Sequence, residues 1–258
     1  MKRFLLLCLL WLCCTPFAAL AQQTAPADSN SEQYKTREQL AYSLGVLAYI
    51  YGFPLVKMEQ VRQQSMQQSN VSPNELRHRR RLQTHQDRVV VSPNNDTVYS
   101  SAWLDLSQEA LVLHTPETKG RYCSYAFYDA WTNNFHVISK RNTRDVAADY
   151  LITGPNWKGA VPKGLTRIAT PTNSVWLLVR TLIADDKDWP GVIALQDGIK
   201  LQSLNQWQSK TPAPQRTAAK PAAPAQPNRS PLAFFEQFGS HMPSTLELIR
   251  QTLLSRLS

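Results

Sequence analysis

The densest group of polar side chains in this sequence follows a proline in the segment Ser92–Asp96. Asn94, Asn95 and Asp96 stand side by side there, and short polar side chains of this kind bond their own backbone in tight turns. The sequence therefore favours an Asx turn that holds a hairpin. At the rim of a β-sandwich the same group would present one carboxylate and two amides to a small ligand, and that is the alternative.

Aromatic and ionisable side chains accompany this segment. Residues that could line an aromatic ligand pocket are Tyr99, Trp103, Tyr122, Tyr128, Trp131 and Trp176, although aromatic residues in strands more often pack in a core. Ionisable groups within or beside the predicted strands are Asp96, Arg121, Asp129, His136 and Arg180. A cleft that joins Asp96, Arg121 and His136 would favour acid–base catalysis. A filled sandwich with an exposed basic face would favour a non-catalytic binding protein.

Common catalytic and metal-binding motifs are absent from the sequence. It has no His-Glu-x-x-His, no paired Cys-x-x-Cys and no Gly-x-Ser-x-Gly. The five histidines are scattered, and nine glycines leave little room for a phosphate-binding loop. We therefore predict no metal and no cofactor.

A basic run is the strongest charge feature of a chain whose formal net charge is +9. Its members are Arg77, Arg79, Arg80 and Arg81, with Arg88 a few residues on. A solvated loop is the simplest interpretation, and contact with an anionic lipid or an acidic partner comes second. Direct nucleic-acid binding is disfavoured, because no helix-turn-helix or zinc-finger pattern surrounds the run.

The N-terminus has the pattern of a cleavable signal peptide. Lys2 and Arg3 precede an apolar run, Phe4–Cys14, and Ala19–Ala21 supplies a small-x-small cleavage site. The run is shorter than the roughly 20 residues of a membrane-spanning helix. We predict cleavage after Ala21 and a periplasmic or secreted protein that does not span the membrane. Cys123 is then the one cysteine left, inside a strand-like run that predicts a buried structural thiol.

The elements that must position these groups follow from composition and periodicity. Apolar residues make up 43% and charged residues 18% of the 258 residues, which is typical of a globular protein. A flexible tail over 22–33 precedes N-terminal helices over 34–70, the first ending at Gly52 and Pro54. The Gln- and Ser-rich stretch at the end of this segment predicts a loop. Alternating strands over 71–207, with an early short one at Arg88–Val91, predict an antiparallel β-sandwich or jelly roll. A short helix is expected over Pro190–Leu201. A Pro/Ala-rich linker over 208–231 precedes a C-terminal helical segment over 232–258, so the predicted fold is mainly β.

Several motifs in this order resemble the domain of unknown function 1254 family. They are Ser92–Leu106, Gly120–Tyr122, Tyr128–Asn133, Tyr150–Pro155, Pro171–Trp176 and Leu195–Gly198. The resemblance covers roughly 40–204 and implies a β-sandwich with N-terminal helices. Many members carry a second β domain, in whose place this chain has its linker and one helical segment.

The resemblance also implies a function, because one short member represses violacein pigment biosynthesis. It implies an exported negative regulator of a quorum-sensing-controlled pathway that acts indirectly and without catalysis. Its partner would be a small molecule or a component of the cell envelope. The alternative is a periplasmic, hydrolase-like enzyme that acts on a small signal molecule or an envelope component. The sequence makes no prediction of oligomeric state.

Overall fold

The computed structural model describes residues 32–88, 94–143, 145–210 and 230–242. The chain divides into two units, 1–48 and 49–258. The predicted signal peptide, Val89–Val91 of the predicted strand at Arg88–Val91, most of the predicted linker and the last sixteen residues of the predicted C-terminal segment lie outside the described residues.

A single helix, α1 (Glu32–Ser69), replaces the two N-terminal helices expected from the sequence. Pro54 lies inside it and does not end it, although an interior proline costs a helix about 3 kcal/mol. Burial of the next turn offsets this cost, since Leu55, Val56 and Met58 are all buried. The Gln- and Ser-rich stretch expected to form a loop is the last part of the same helix.

The part of α1 in the first unit exposes large apolar side chains. Those exposed are Tyr34, Leu40, Tyr42, Leu44, Val46 and Leu47. By length and composition alone α1 could cross a membrane, and the same test is passed by core helices and by signal sequences. An apolar helix near the N-terminus is therefore compatible with an export signal.

The described residues of the second unit contain nine strands in two sheets, as the sequence predicts for a mainly β fold. The five-stranded sheet has the order β1-β2-β8-β4-β5, with β1 (Arg77–His78), β2 (Thr97–Asp105), β4 (Cys123–Tyr128), β5 (Asn134–Ser139) and β8 (Ser174–Leu182). The four-stranded sheet has the order β7-β6-β3-β9, with β3 (Leu111–Thr115), β6 (Ala148–Thr153), β7 (Leu165–Ala169) and β9 (Lys200–Ser203). All pairs are antiparallel except β6 with β7, which is parallel.

Alternation along β8, and along most of β2, turns one face of the five-stranded sheet into the core between the sheets. In β2, Val98, Ser100, Ala102 and Leu104 are buried and Tyr99 and Ser101 face outward, as the period of two requires. One apolar cluster joins Leu104, Phe127 and Leu177 of the first sheet to Leu113 and Ile152 of the second. The outer face of the five-stranded sheet carries side chains that do not belong to this cluster.

Short helices connect and cover the strands. They are α2 (Lys140–Thr143), α3 (Trp189–Gly198) and α4 (Leu204–Ser209), with a 3₁₀ turn at Asp186–Asp188. The helix expected over Pro190–Leu201 is α3, but it ends at Gly198 and the chain then enters β9, which pairs with β3. Pairing with β3 makes 200–203 a strand, because these residues have no strand pattern of their own.

The C-terminal helix α5 (Ala233–His241) docks on the second half of α1. The Phe234 ring lies 4.5 Å from that of Tyr49, and Gln60 Nε2 donates to Gln237 Oε1 at 3.2 Å. Phe238 packs on Gly52, where a Cβ atom would lie 2.7 Å from the ring. The closest approach of the two helices therefore depends on a residue without a side chain.

Gly52→Ala is expected to loosen this docking, because the added methyl overlaps the ring of Phe238. Hydrogen–deuterium exchange of residues 233–241 should become at least several-fold faster. Gly239→Ala is the matched control, since its Cβ atom meets nothing within 4 Å and alanine favours helix. Equal exchange in the two variants would contradict the proposed contact.

Candidate functional site

A cavity of about 380 Å³ opens on the outer face of the five-stranded sheet, at one end of β8. Its lining residues are Asn94, Asp96, Thr97, Tyr99, Tyr122, Arg180 and Leu182. They converge because β8 lies between β2 and β4, with Tyr99 opposite Arg180 and Thr97 opposite Leu182. Tyr122 precedes β4, and its carbonyl accepts from the Leu182 N–H at 2.9 Å.

Arg180 is the unusual residue of this cavity. Its guanidinium carbon lies 5.8 Å from the ring centroid of Tyr99, and its Nε is buried with no hydrogen-bond partner in the described part of the chain. Five other arginines of the described residues form ion pairs: Arg62, Arg79, Arg80, Arg81 and Arg121. A buried donor without a partner is costly, and a guanidinium edge donates two parallel hydrogen bonds to a carboxylate or phosphate. Arg180 is therefore equipped to hold an anion.

The predicted turn at Asn94–Asp96 forms the rim of the cavity. Asn94 Oδ1 accepts from the N–H of Asp96 at 2.7 Å and from that of Thr97 at 3.0 Å. This is the Asx turn that the sequence favours. It occupies the amide oxygen of Asn94 and leaves the carboxylate of Asp96 exposed, without a hydrogen bond or ion pair to any described residue. Asn95 lies in the turn but does not line the cavity.

The three candidate catalytic residues do not meet in one cleft. The Arg121 guanidinium donates to both carboxylate oxygens of Asp188 at 2.5 Å and thereby lowers the pKa of Asp188 to about 2. His136 lies on β5, where its ring is 5.8 Å from that of Phe127 and burial lowers its pKa. Asp96 alone of the three lines the cavity.

The predicted aromatic pocket residues divide into three groups. Tyr99 and Tyr122 line the cavity. Trp103 stacks on Trp176 at 5.2 Å, and Tyr128 packs on the same indole at 5.5 Å. Four residues separate Trp103 from Tyr99, which is about 13 Å along a strand, so the stacked cluster belongs to another part of the face.

Trp131 forms the third aromatic group, away from the sheet face. It lies in the turn between β4 and β5 and contacts Tyr51 of α1 at 4.8 Å and Phe238 of α5 at 6.5 Å. Its ring therefore fixes the helices to the sandwich and does not line the cavity.

The basic run starts in a strand and continues in a loop, where three of its arginines form ion pairs. Arg77 forms part of β1. Arg79 and Arg81 share Asp87, at 3.7 Å and 2.6 Å, and Arg81 holds the pKa of that carboxyl far below its usual range. Arg80 pairs with Asp197. Arg88 is exposed. The two carboxylates of Asp87 and Asp197 therefore offset part of the positive charge of the run.

Cys123 is buried, as predicted. It is 2% exposed, burial raises the pKa of its thiol, and its Sγ lies 3.6 Å from Thr181 Oγ1. A raised pKa and a buried sulfur are typical of an inert structural thiol. Among the described residues, no three His, Cys, Asp or Glu side chains are grouped as a metal site.

The sequence places Arg180 among the ionisable residues of the strands but does not distinguish it from the others. The signal is an arginine inside the alternating run Ser174–Leu182, a pattern shared by any strand with one face in solvent. Only the register with β2 reveals that this arginine faces Tyr99 and the Asx turn.

Comparisons with known proteins identify a family and a fold. The sequence model of a family described as "Protein of unknown function (DUF1254)" matches residues 73–203. No functionally curated protein matches the sequence.

Two solved structures are similar to the chain. The crystal structure of the VPA0106 protein from Vibrio parahaemolyticus aligns with a TM-score of 0.58 and 21% identity, over 74% of this chain and 44% of that one. A putative uncharacterized protein from Burkholderia cenocepacia aligns with a TM-score of 0.36 and 14% identity, over 85% of this chain and 52% of that one. This chain thus spans about half the length of either protein, and the likeness to the first shows the fold alone.

Proposed function

This chain belongs to the DUF1254 family of proteins of unknown function, and we propose that it is a binding module for small anionic molecules, with Arg180 as the recognition group. The observation that carries the proposal is the buried Nε of Arg180, which has no hydrogen-bond partner among the described residues and lies in a cavity lined by two tyrosines. A bound carboxylate or phosphate would supply the missing acceptor. The cavity, at about 380 Å³, falls within the range of small-molecule sites.

The surroundings of Arg180 support binding in preference to catalysis. Catalysis of hydrolysis needs a nucleophile or a general base within hydrogen-bond reach of the reacting group. Among the lining residues only Asp96 is an acid. The other two candidate catalytic residues, Arg121 and His136, do not line the cavity. The hydrolase-like alternative therefore has no observation in its favour.

The same proposal includes the regulatory role that the family resemblance implies. An exported module that holds a small molecule would lower the output of a quorum-sensing-controlled pathway, and with it violacein formation, without converting that molecule. The periplasmic or secreted location rests on the N-terminal signal pattern. Direct contact with nucleic acid is not part of the proposal, because Asp87 and Asp197 pair with three arginines of the basic run.

Arg180→Met is the substitution that tests the proposed anion site. Methionine keeps the length of the side chain and removes both the charge and the unpartnered donor. We expect at least a tenfold loss of affinity for 3-phenylpropionate, measured by isothermal titration calorimetry on the full chain. The melting temperature should stay unchanged or rise, because a costly buried donor is lost.

Arg141→Met is the matched control, since Arg141 is exposed on α2 and the change in charge is the same. It should leave affinity unchanged. Equal affinity of the Arg180 and Arg141 variants would overturn the proposal, and so would a large loss of stability in Arg180→Met, because that would make the residue structural.

A further inference from the structure

The second charge of the cavity restricts the class of ligand, and this inference rests on the proposed function. Asp96 and Arg180 line the same cavity, carry opposite charges and form no ion pair with each other, since no such contact within 4.0 Å exists among the described residues. We infer that the ligand carries both signs of charge, a carboxylate for Arg180 and an ammonium for Asp96. α-Amino acids and their close derivatives are the simplest molecules of that class.

Asp96 is held in place while its carboxylate is left unused. Its N–H donates to Asn94 Oδ1 at 2.7 Å, and its carbonyl accepts from the Ile183 N–H at 3.2 Å. The backbone is therefore fixed on both sides, to the Asx turn and to the end of β8. The backbone that carries the carboxylate therefore need not be ordered when an ammonium binds, which lowers the entropy cost of binding.

The uncharged lining residues indicate which kind of group the ligand carries beside its two charges. Tyr99, Tyr122 and Leu182 supply two aromatic rings and one aliphatic side chain, and Tyr122 is 47% exposed. Aromatic faces attract ammonium groups and pack against flat or apolar side chains. A zwitterion with an apolar side chain thus matches the charges and the walls together.

Three probes that share a phenylethyl group separate the two charges. L-Phenylalanine carries both, 3-phenylpropionate lacks the ammonium, and phenethylamine lacks the carboxylate. We expect the full chain to bind L-phenylalanine at least tenfold more tightly than either other probe in isothermal titration calorimetry. Asp96→Asn, which keeps the shape of the side chain, should reduce L-phenylalanine affinity to that of 3-phenylpropionate and leave 3-phenylpropionate unaffected.

The outcomes distinguish this inference from the proposed function. If 3-phenylpropionate binds as tightly as L-phenylalanine and both need Arg180, the anion site stands and the zwitterion inference is wrong. If Asp96→Asn weakens both carboxylates equally, Asp96 acts only through the fold of the turn, and the inference is again overturned. If neither carboxylate depends on Arg180, both proposals fall.

Discussion

Phe127→Ala is expected to lower the free energy of unfolding by about 3–5 kcal/mol, the range for removing a buried aromatic ring. Phe127 is 0% exposed and lies on β4, the neighbour of central strand β8, so its ring reaches the cluster between the two sheets. The rings of Phe135 and His136 lie 6.2 Å and 5.8 Å away. Strands on both sides hold this region rigid, so the space left by the missing ring would close only partly.

Urea unfolding followed by circular dichroism measures this loss. Phe235→Ala removes the same ring from α5, where Phe235 is 37% exposed, and should cost about 1 kcal/mol or less. Comparable losses in the two variants would show that the sandwich is not the part that limits stability. A changed slope against urea would indicate altered compactness instead of a simple loss of packing.

The strands could be predicted where one face is buried and the other is not. Val98–Leu106 alternates so regularly that the face of each residue could be assigned from the sequence alone, although Trp103 on the outer face is itself buried, stacked on Trp176. β1 has two residues and β9 has four, too few for a period to appear, and both exist through pairing with longer strands. α1 continues through Pro54 because packing of the following turn outweighs the local preference, which sequence patterns do not reveal.

The candidate site divides in the same way between local and long-range information. The Asx turn depends on contacts between neighbours, Asn94 with Asp96 and Thr97, and short polar side chains predict it. The cavity depends on the register of Tyr99 with Arg180, which are far apart in the chain. A sequence alone does not specify which of several arginines faces the turn.

The basic run is the clearest case of a long-range partner that changes the interpretation. Taken alone, consecutive arginines predict a solvated or nucleic-acid-binding surface. Arg80 instead donates to Gln196 Oε1 at 2.8 Å and pairs with Asp197, both on α3. The run therefore fastens the segment before β2 to α3.

Gln196→Leu is expected to lower the free energy of unfolding by about 2–4 kcal/mol, because it removes three hydrogen bonds made by one fully buried side chain. Gln196 is 0% exposed. Its Oε1 accepts from Arg80, and its Nε2 donates to Ser100 Oγ at 3.0 Å and to the carbonyl of Arg79 at 3.3 Å. Leucine matches the size of glutamine and can make none of these hydrogen bonds.

A double-mutant cycle with Ser100→Ala separates the hydrogen bonds from packing. Ser100 Oγ also lies 2.8 Å from His78 Nδ1, and burial lowers the pKa of His78 to about 4, so this histidine is neutral at pH 7. If the network carries the stability, the double variant should lose clearly less than the sum of the two single losses. Strictly additive losses would contradict the network, and the basic run would again be a candidate for a free binding surface.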